Sequence, residues 1–264
     1  MITFPNIDPV AFEMGPVAVH WYGITYIAGI GLAWLYLHRG ARYGVDKSTT
    51  QHVDDLVFYA ALGAVLGGRA GYVLFYNAVA FFDDPLSLFA VWHGGMSFHG
   101  GAVGLVLAMW WFARSRGMRF LEVTDFVLPA VPIGLGLGRI ANFVNQELWG
   151  ATTDLPWGVV FTHPAAGGLA RHPSQLYEAL LEGLCLFVIL GLLRARSLSV
   201  GIVSAWFLIL YAIFRGAVEF VREPDAHIGY IGWNWLTMGQ LLSIPMLLAG
   251  IAILILTQRR AAAD

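Results

Sequence analysis

Arg139, Asn142, Asn145, Gln146 and Glu147 fall within nine positions, in the run GLGRIANFVNQELWG (136–150) that closes a glycine-studded apolar stretch. On a helix Arg139, Asn142 and Gln146 share one face, with Asn145 and Trp149 along its neighbour. A guanidinium keeps its charge at any relevant pH and matches phosphate oxygens in pairs. The amides beside it can hold that fork or bond a bound headgroup, and Glu147 supplies a counter-charge. Arg69 and Arg215 also lie within apolar runs, with Arg222 just beyond one. An arginine centred in hydrocarbon costs about 2.5–3.5 kcal/mol on insertion scales, so each needs a polar cavity and partners. Two forks gripping one phosphate would suit lipid-headgroup chemistry. The plainer reading is a structural ion pair, since Arg215 and Glu219 are spaced i, i+4 and Glu219 can also approach Arg222. Arg171, in a loop, reads as solvated or interfacial.

His99, in GGMSFHGG (94–101), is the second chemical candidate. Imidazole accepts a proton near neutrality, although a histidine that only bonds a backbone carbonyl fits the residue type as well. His20 and His172 read as interface or loop residues. Tyr22, Tyr72, Tyr177 and Tyr211 each have a hydroxyl to place, but tyrosines also gather at membrane interfaces without chemistry. Cys185, the only cysteine, sits in an apolar run, which excludes an internal disulfide and any four-cysteine metal site. There is no HExxH, no GxSxG and no phosphate-binding GxxxxGK[ST].

The elements that must position these side chains are membrane helices. Of 264 residues, 58% are hydrophobic and 12% charged, against roughly 25% charged in a soluble domain. Seven apolar runs are long enough to span a bilayer, near 19–38, 55–76, 97–113, 123–144, 175–193, 200–221 and 236–257. Ten of the fifteen cations follow the first, third, fifth and seventh runs, among them Arg39, Arg42, Lys47, Arg114 and Arg259. Lysine and arginine resist translocation, so the N-terminus is expected outside and the C-terminus in the cytoplasm. The quoted stretch, HWYG (20–23), GGMSFHGG, Asp225 and His227 then share the outward side. No signal peptide is visible, and the first run is long enough to remain as an anchor. The segment 145–174 is long and rich in Gly, Pro and Trp, as functional loops often are. Residues 1–18 read as lying along the interface. In GAVLGGRAGY (63–72) and IGLGLGRIAN (133–142) the glycines have the small-xxx-small spacing of close helix contacts. The net charge of −2 carries no message about partners. A transporter for an anionic lipid would also use buried arginines, but the paired related halves expected of one are not seen.

The stretch 138–150 resembles the GR-x-[GA]-NF-x-N-x-E-xx-G signature of prolipoprotein diacylglyceryl transferases, with every constrained position matched. The similarity extends to HWYG, GGRAGYVLFYN (67–77), GGMSFHGG, RHPSQLYE (171–178) and FRGAVEFVREPD (214–225), nearly the whole chain. It implies an all-α polytopic membrane protein, one transferase domain over 1–264, in the bacterial inner membrane. The implied reaction moves the diacylglyceryl group of phosphatidylglycerol onto the lipobox cysteine of a prolipoprotein, behind its signal peptide. No cofactor, metal or nucleic acid is expected; the partners are membrane lipid and the prolipoprotein. By resemblance Arg139 and Arg215 bind the lipid phosphate and stabilise its developing charge. His99 matches the base proposed for the thiol, with thiolate stabilisation by the arginines alone as the alternative; Tyr22 stands near the reaction, and Asn142, Glu147, Gly150, Tyr211 and Glu219 orient the substrate. Gln146 occupies a free position of the signature.

Overall fold

The computed structural model describes residues 1–5, 7–15, 17–40, 52–76, 85, 88, 95–196, 198–224 and 229–261. Arg42, Lys47, Asn77, Asp225 and His227 lie outside them. Each of the seven apolar runs carries helix: α1 (Trp21–Gly40), α2 (Val53–Tyr76), α3 (Phe98–Ser115), α4 (Phe120–Val127) continued by α5 (Val131–Val144), α6 (Ser174–Glu178) continued by α7 (Leu186–Arg194), α8 (Ile202–Glu219) and α9 (Met238–Ala261). Five stretches are long and apolar enough to cross a membrane: Val53–Leu74, Phe120–Val144, Ser174–Arg194, Ile202–Glu219 and Met238–Arg260. In α1 and α3, tryptophan, glycine and histidine dilute the apolar content.

The all-helical expectation needs one correction. Short strands β1 (Ile2–Thr3), β2 (Val10–Met14), β3 (Val17–His20), β4 (Val159–Val160) and β5 (Ala170–Arg171) build two small sheets. β4 pairs in parallel with β1 and antiparallel with β5, while β2 and β3 form a hairpin with a bulge. The first sheet covers a small core of Phe4, Val159, Phe161 and Ala166, with Phe143 and Trp149 packed against it. Strands this short bury too little to announce themselves by alternation, which is why an apolar N-terminal segment reads only as interfacial.

The chain forms two compact units, Gly40–Thr124 and the remainder. In the first, α2 and α3 pack glycine on glycine. A Cβ on Gly104 would lie 2.1 Å from the Gly63 carbonyl oxygen, and one on Gly67 2.4 Å from that of Gly100. Without a hydrophobic drive between helices in lipid, such backbone proximity supplies dispersion contact. Ser97 caps α3, its hydroxyl accepting from Gly100 N at 3.2 Å.

In the larger unit α5 meets the π-helical segment Ala179–Cys185, where a Cβ on Gly183 would lie 2.7 Å from Gly136 Cα. Leu186, Leu190, Val203, Phe207 and Tyr211 form the core between α7 and α8. The start of α8 lacks a capping side chain of its own. Asp125 caps it from α4, accepting from Gly201 N at 2.5 Å, Ser204 N at 2.7 Å and Ser204 Oγ at 2.5 Å. Replacing Gly104 by alanine is expected to destabilise the α2–α3 pair by about 1–3 kcal/mol. Gly31→Ala, where nothing lies within 4 Å, is the control and should be neutral or slightly stabilising; thermal unfolding in detergent measures both.

Candidate active site

The glycines of α5 place Arg139 one turn beyond the Gly136–Gly183 contact. Asn145 ends the helix, its N–H donating to Ala141 O at 2.9 Å. The next turn is strained: Gln146 and Leu148 adopt φ of 53° and 58°, a left-handed backbone that side chains disfavour. Such geometry persists where surroundings over-determine it. Gln146 Oε1 accepts from Thr162 N at 2.7 Å and His163 N at 3.1 Å. Ser174 Oγ donates to Leu148 O at 2.9 Å, and Gln175 Nε2 to Glu147 O at 2.7 Å. Within the turn, Glu147 N donates to Asn142 O at 3.0 Å and Asn142 Nδ2 returns a bond to Glu147 Oε1 at 2.7 Å.

Gly150 is a backbone crossing point. Its N–H donates to His172 O at 2.8 Å, it bridges antiparallel to Arg222, and a Cβ there would lie 2.4 Å from Val221 O. Arg171, read from the sequence as solvated or interfacial, is 9% exposed and staples this crossing. It donates to Ala166 O at 2.8 Å, to Gly150 O at 3.2 Å and to Glu223 at 2.5 Å. His172 sits beside it, its Nδ1 3.3 Å from the Tyr177 hydroxyl, and partial burial holds the imidazole below its ordinary pKa.

Glu178, fully buried at the end of α6, is the hub of the charged cluster. Its Oε1 accepts from Arg215 Nη1 and from Arg222 Nη1 at 3.0 Å, while its Oε2 lies 3.3 Å from Arg139 Nε. One turn on, Glu182 lies 3.6 Å from Arg139 Nη2 and 3.9 Å from Arg215 Nη1, with no hydrogen bond to either oxygen among the described residues. Arg215 also donates to Glu219, which in turn accepts from the Thr237 hydroxyl. The Arg215–Glu219 pair read from sequence, with Arg222 beside it, is thus part of a network of three guanidiniums and three carboxylates.

The network is two-sided. Both Glu178 and Glu182 are 0% exposed, whereas the Arg139 side chain is 16% and that of Arg215 15% exposed. Arg139 is held by charge: among the described residues its fork meets carboxylates only beyond 3.2 Å and makes no hydrogen bond. A guanidinium has five donors, so this fork retains capacity for an anion's oxygens.

Of the residues singled out from sequence, Arg139, Arg215, Glu219 and Arg222 fall in this network. Tyr211 is buried within electrostatic reach of Glu182, Arg215 and Arg139. Tyr22, at the start of α1, receives a hydroxyl bond from Tyr26 at 3.4 Å; Tyr26 feels the charges of Arg139 and Glu147. His99 and Arg69 belong to the Gly40–Thr124 unit. His99 is exposed at the second position of α3, and Arg69 donates to Gly95 O at 3.3 Å beside the Tyr72 ring. Glu178, Glu182, Gln175 and Thr237 were not singled out as site residues. The available signal was two acidic residues four apart inside an apolar run that must answer the arginines of neighbouring helices. Among the described residues no three His, Cys, Asp or Glu side chains are grouped to hold a metal.

A helical protein with several membrane-crossing segments and paired charges buried among them is a multi-pass membrane protein. The chain belongs to the prolipoprotein diacylglyceryl transferase family, whose model matches residues 9–256. It is similar to the phosphatidylglycerol–prolipoprotein diacylglyceryl transferase of Pseudomonas paraeruginosa, 53% identical over all of this chain and 98% of that one. The same-named proteins of Methylococcus capsulatus (53% identical, 96% of this chain and 97% of that) and Pseudomonas syringae pv. syringae (51%, 98% and 97%) are comparably related.

Breaking a buried ion network by removing one partner costs about 3–5 kcal/mol, so Glu178→Gln should sharply lower stability in denaturant titrations. Glu182→Gln, which removes no hydrogen bond, should cost clearly less in the same measurement.

Proposed function

We propose that this chain transfers the diacylglyceryl group of phosphatidylglycerol to a cysteine thiol of a prolipoprotein, forming a thioether and releasing glycerol phosphate. The family and the names of relatives matched over nearly their whole length support the reaction. The substrate cysteine is the lipobox cysteine behind the signal peptide. The protein sits in the bacterial inner membrane with seven spans, its N-terminus periplasmic and its C-terminus cytoplasmic. A reporter fused after Asp264 and found in the periplasm would refute that orientation.

In the reaction, the thiol gives its proton to a base, sulfur forms a bond to the glyceryl carbon, and the carbon–oxygen bond to phosphate breaks. The departing phosphate keeps the electron pair, so negative charge grows on its oxygens. Preorganised cations aimed at that charge lower the barrier. The observation that carries the assignment of Arg139 and Arg215 is the two-sidedness of their network. Buried carboxylates hold both forks from behind, and Arg139 spends no hydrogen bond on them. Asn142 and Glu147 brace each other one turn beyond Arg139 and orient the headgroup, with Gly150, Tyr211 and Glu219 keeping the surrounding backbone and arginine in place. Tyr22 stands near the reacting centre. His99 takes the thiol proton; free cysteine has a pKa of about 8.5, so a base or a cationic surrounding is needed at neutral pH.

Purified protein, phosphatidylglycerol and a lipobox peptide, with mass spectrometry of the modified cysteine, test the assignment. Arg139→Gln should lower the rate by about 10²–10³ while the unfolding transition survives; full activity would remove Arg139 from the chemistry. His99→Asn should lose about 10²–10⁴ if His99 is the base, and a near-normal rate would leave thiolate stabilisation to the arginines alone.

A further inference from the structure

The connection from α8 to α9 carries a feature that the transfer chemistry does not use. Gly232 O accepts from Trp235 N at 3.3 Å and Ile231 N donates to Leu236 O at 2.8 Å, closing a tight turn with Trp233 and Asn234 at its centre. Both central residues are left-handed, at φ 48° and 55°. Turns of this hand favour asparagine and glycine, and a tryptophan at the first central position is strained. The strained turn presents Trp233 outward, 78% exposed. Its ring stacks on Trp235 at 6.0 Å and 19°, and Trp235 stacks on Phe220 at 6.1 Å and 21°. Trp235 is 48% and Phe220 67% exposed, so the three rings make an open aromatic ladder. Exposed apolar patches of this kind mark a surface that meets something.

Its place in the chain says what it meets. Phe220 directly follows the membrane-crossing stretch Ile202–Glu219, and the next one begins at Met238. Both ends of this connection are therefore held at one face of the bilayer. Tryptophan favours that boundary because its ring is apolar while its N–H still needs an acceptor. Among the described residues neither Trp233 nor Trp235 gives its indole N–H to a protein acceptor. The base of the turn is also tied to the charged network: Thr237 donates to Glu219, and Gly239 lies so close that a Cβ would sit 2.5 Å from the Glu219 carboxyl carbon.

We infer that Phe220, Trp235 and Trp233 seat in the phospholipid headgroup–acyl boundary and set the depth of the Glu219–Arg215 end of the network relative to the headgroups. The occupant is lipid, because membrane-crossing helices flank the ladder on both sides. A polypeptide partner would need the same rings to face water.

The seating does not depend on the transferase reading, and its test needs no turnover. Full-length Trp233→Cys in a Cys185→Ala background is labelled with a polarity-sensitive thiol dye and placed in phosphatidylethanolamine–phosphatidylglycerol vesicles. The expected result is blue-shifted emission, quenching by nitroxides high on the acyl chains, and protection from aqueous iodide, all without peptide. Iodide quenching as strong as for free dye overturns the inference, as does protection that appears only when a lipobox peptide is added. Should Trp233→Cys fail to fold, Trp235→Cys carries the same label. Depth-setting itself is read from Trp233→Ala/Trp235→Ala, whose rate should fall several-fold more with vesicle phosphatidylglycerol than with the same lipid in mixed micelles. An equal change in both, or none, overturns that part.

Discussion

A single buried carboxylate, Glu178, answers three guanidiniums supplied by α5, by α8 and by the residues just after α8. In hydrocarbon neither sign of charge is tolerable alone, and the attraction between them repays desolvation only when geometry and hydrogen bonds are good. Each helix is consequently acceptable at its depth because the others are there. The interaction that makes the fold coherent is also the one that holds the arginine forks, so on the proposed assignment stability and chemistry rest on the same atoms. This explains how a site of fixed cations can exist in so apolar a chain. The carboxylates supply the neutrality the membrane demands from the fully buried side, and the arginine side chains stay partly exposed on the other.

Such a network needs helices close enough for short side-chain reach. Gly136 and Gly183 bring α5 against the π-helical segment, and Glu182 is the immediate neighbour of that contact. π-helical turns are found frequently at functional sites; here one lies between Glu178 and the core of α7. Gly150 plays a parallel part outside the helices, since only a missing Cβ lets the signature loop cross the backbone at Val221.

Much of the architecture was legible. Apolar runs marked every long helix to within a few residues, because bilayer thickness and helix rise leave little freedom. Small-residue spacing marked α2 and α5 as helices in close contact for the same kind of reason, a local pattern with a steric meaning, without naming their partners. The charged site was legible by its cations and half-hidden by its anions. Glu178 and Glu182 lie in a run whose hydrophobicity dominates any window average, and their partners are on other helices. Gln146 shows another limit: its value lies in backbone N–H groups sixteen and seventeen residues away, which no local pattern encodes. Arg171 misled for the opposite reason, because arginine in a polar loop is ordinarily wet and here the loop folds over it.

The i, i+4 contact between Arg215 and Glu219 bears on how the protein is made. α8 carries one neutralising partner of its own for Arg215, Glu219, before Glu178 is counted. α5 emerges earlier with Arg139 uncompensated, and the glutamates that relieve it are synthesised afterwards, on the following helix. Along the chain the cation thus precedes the carboxylates that answer it, and α5 acquires its neutrality only from the helix that follows.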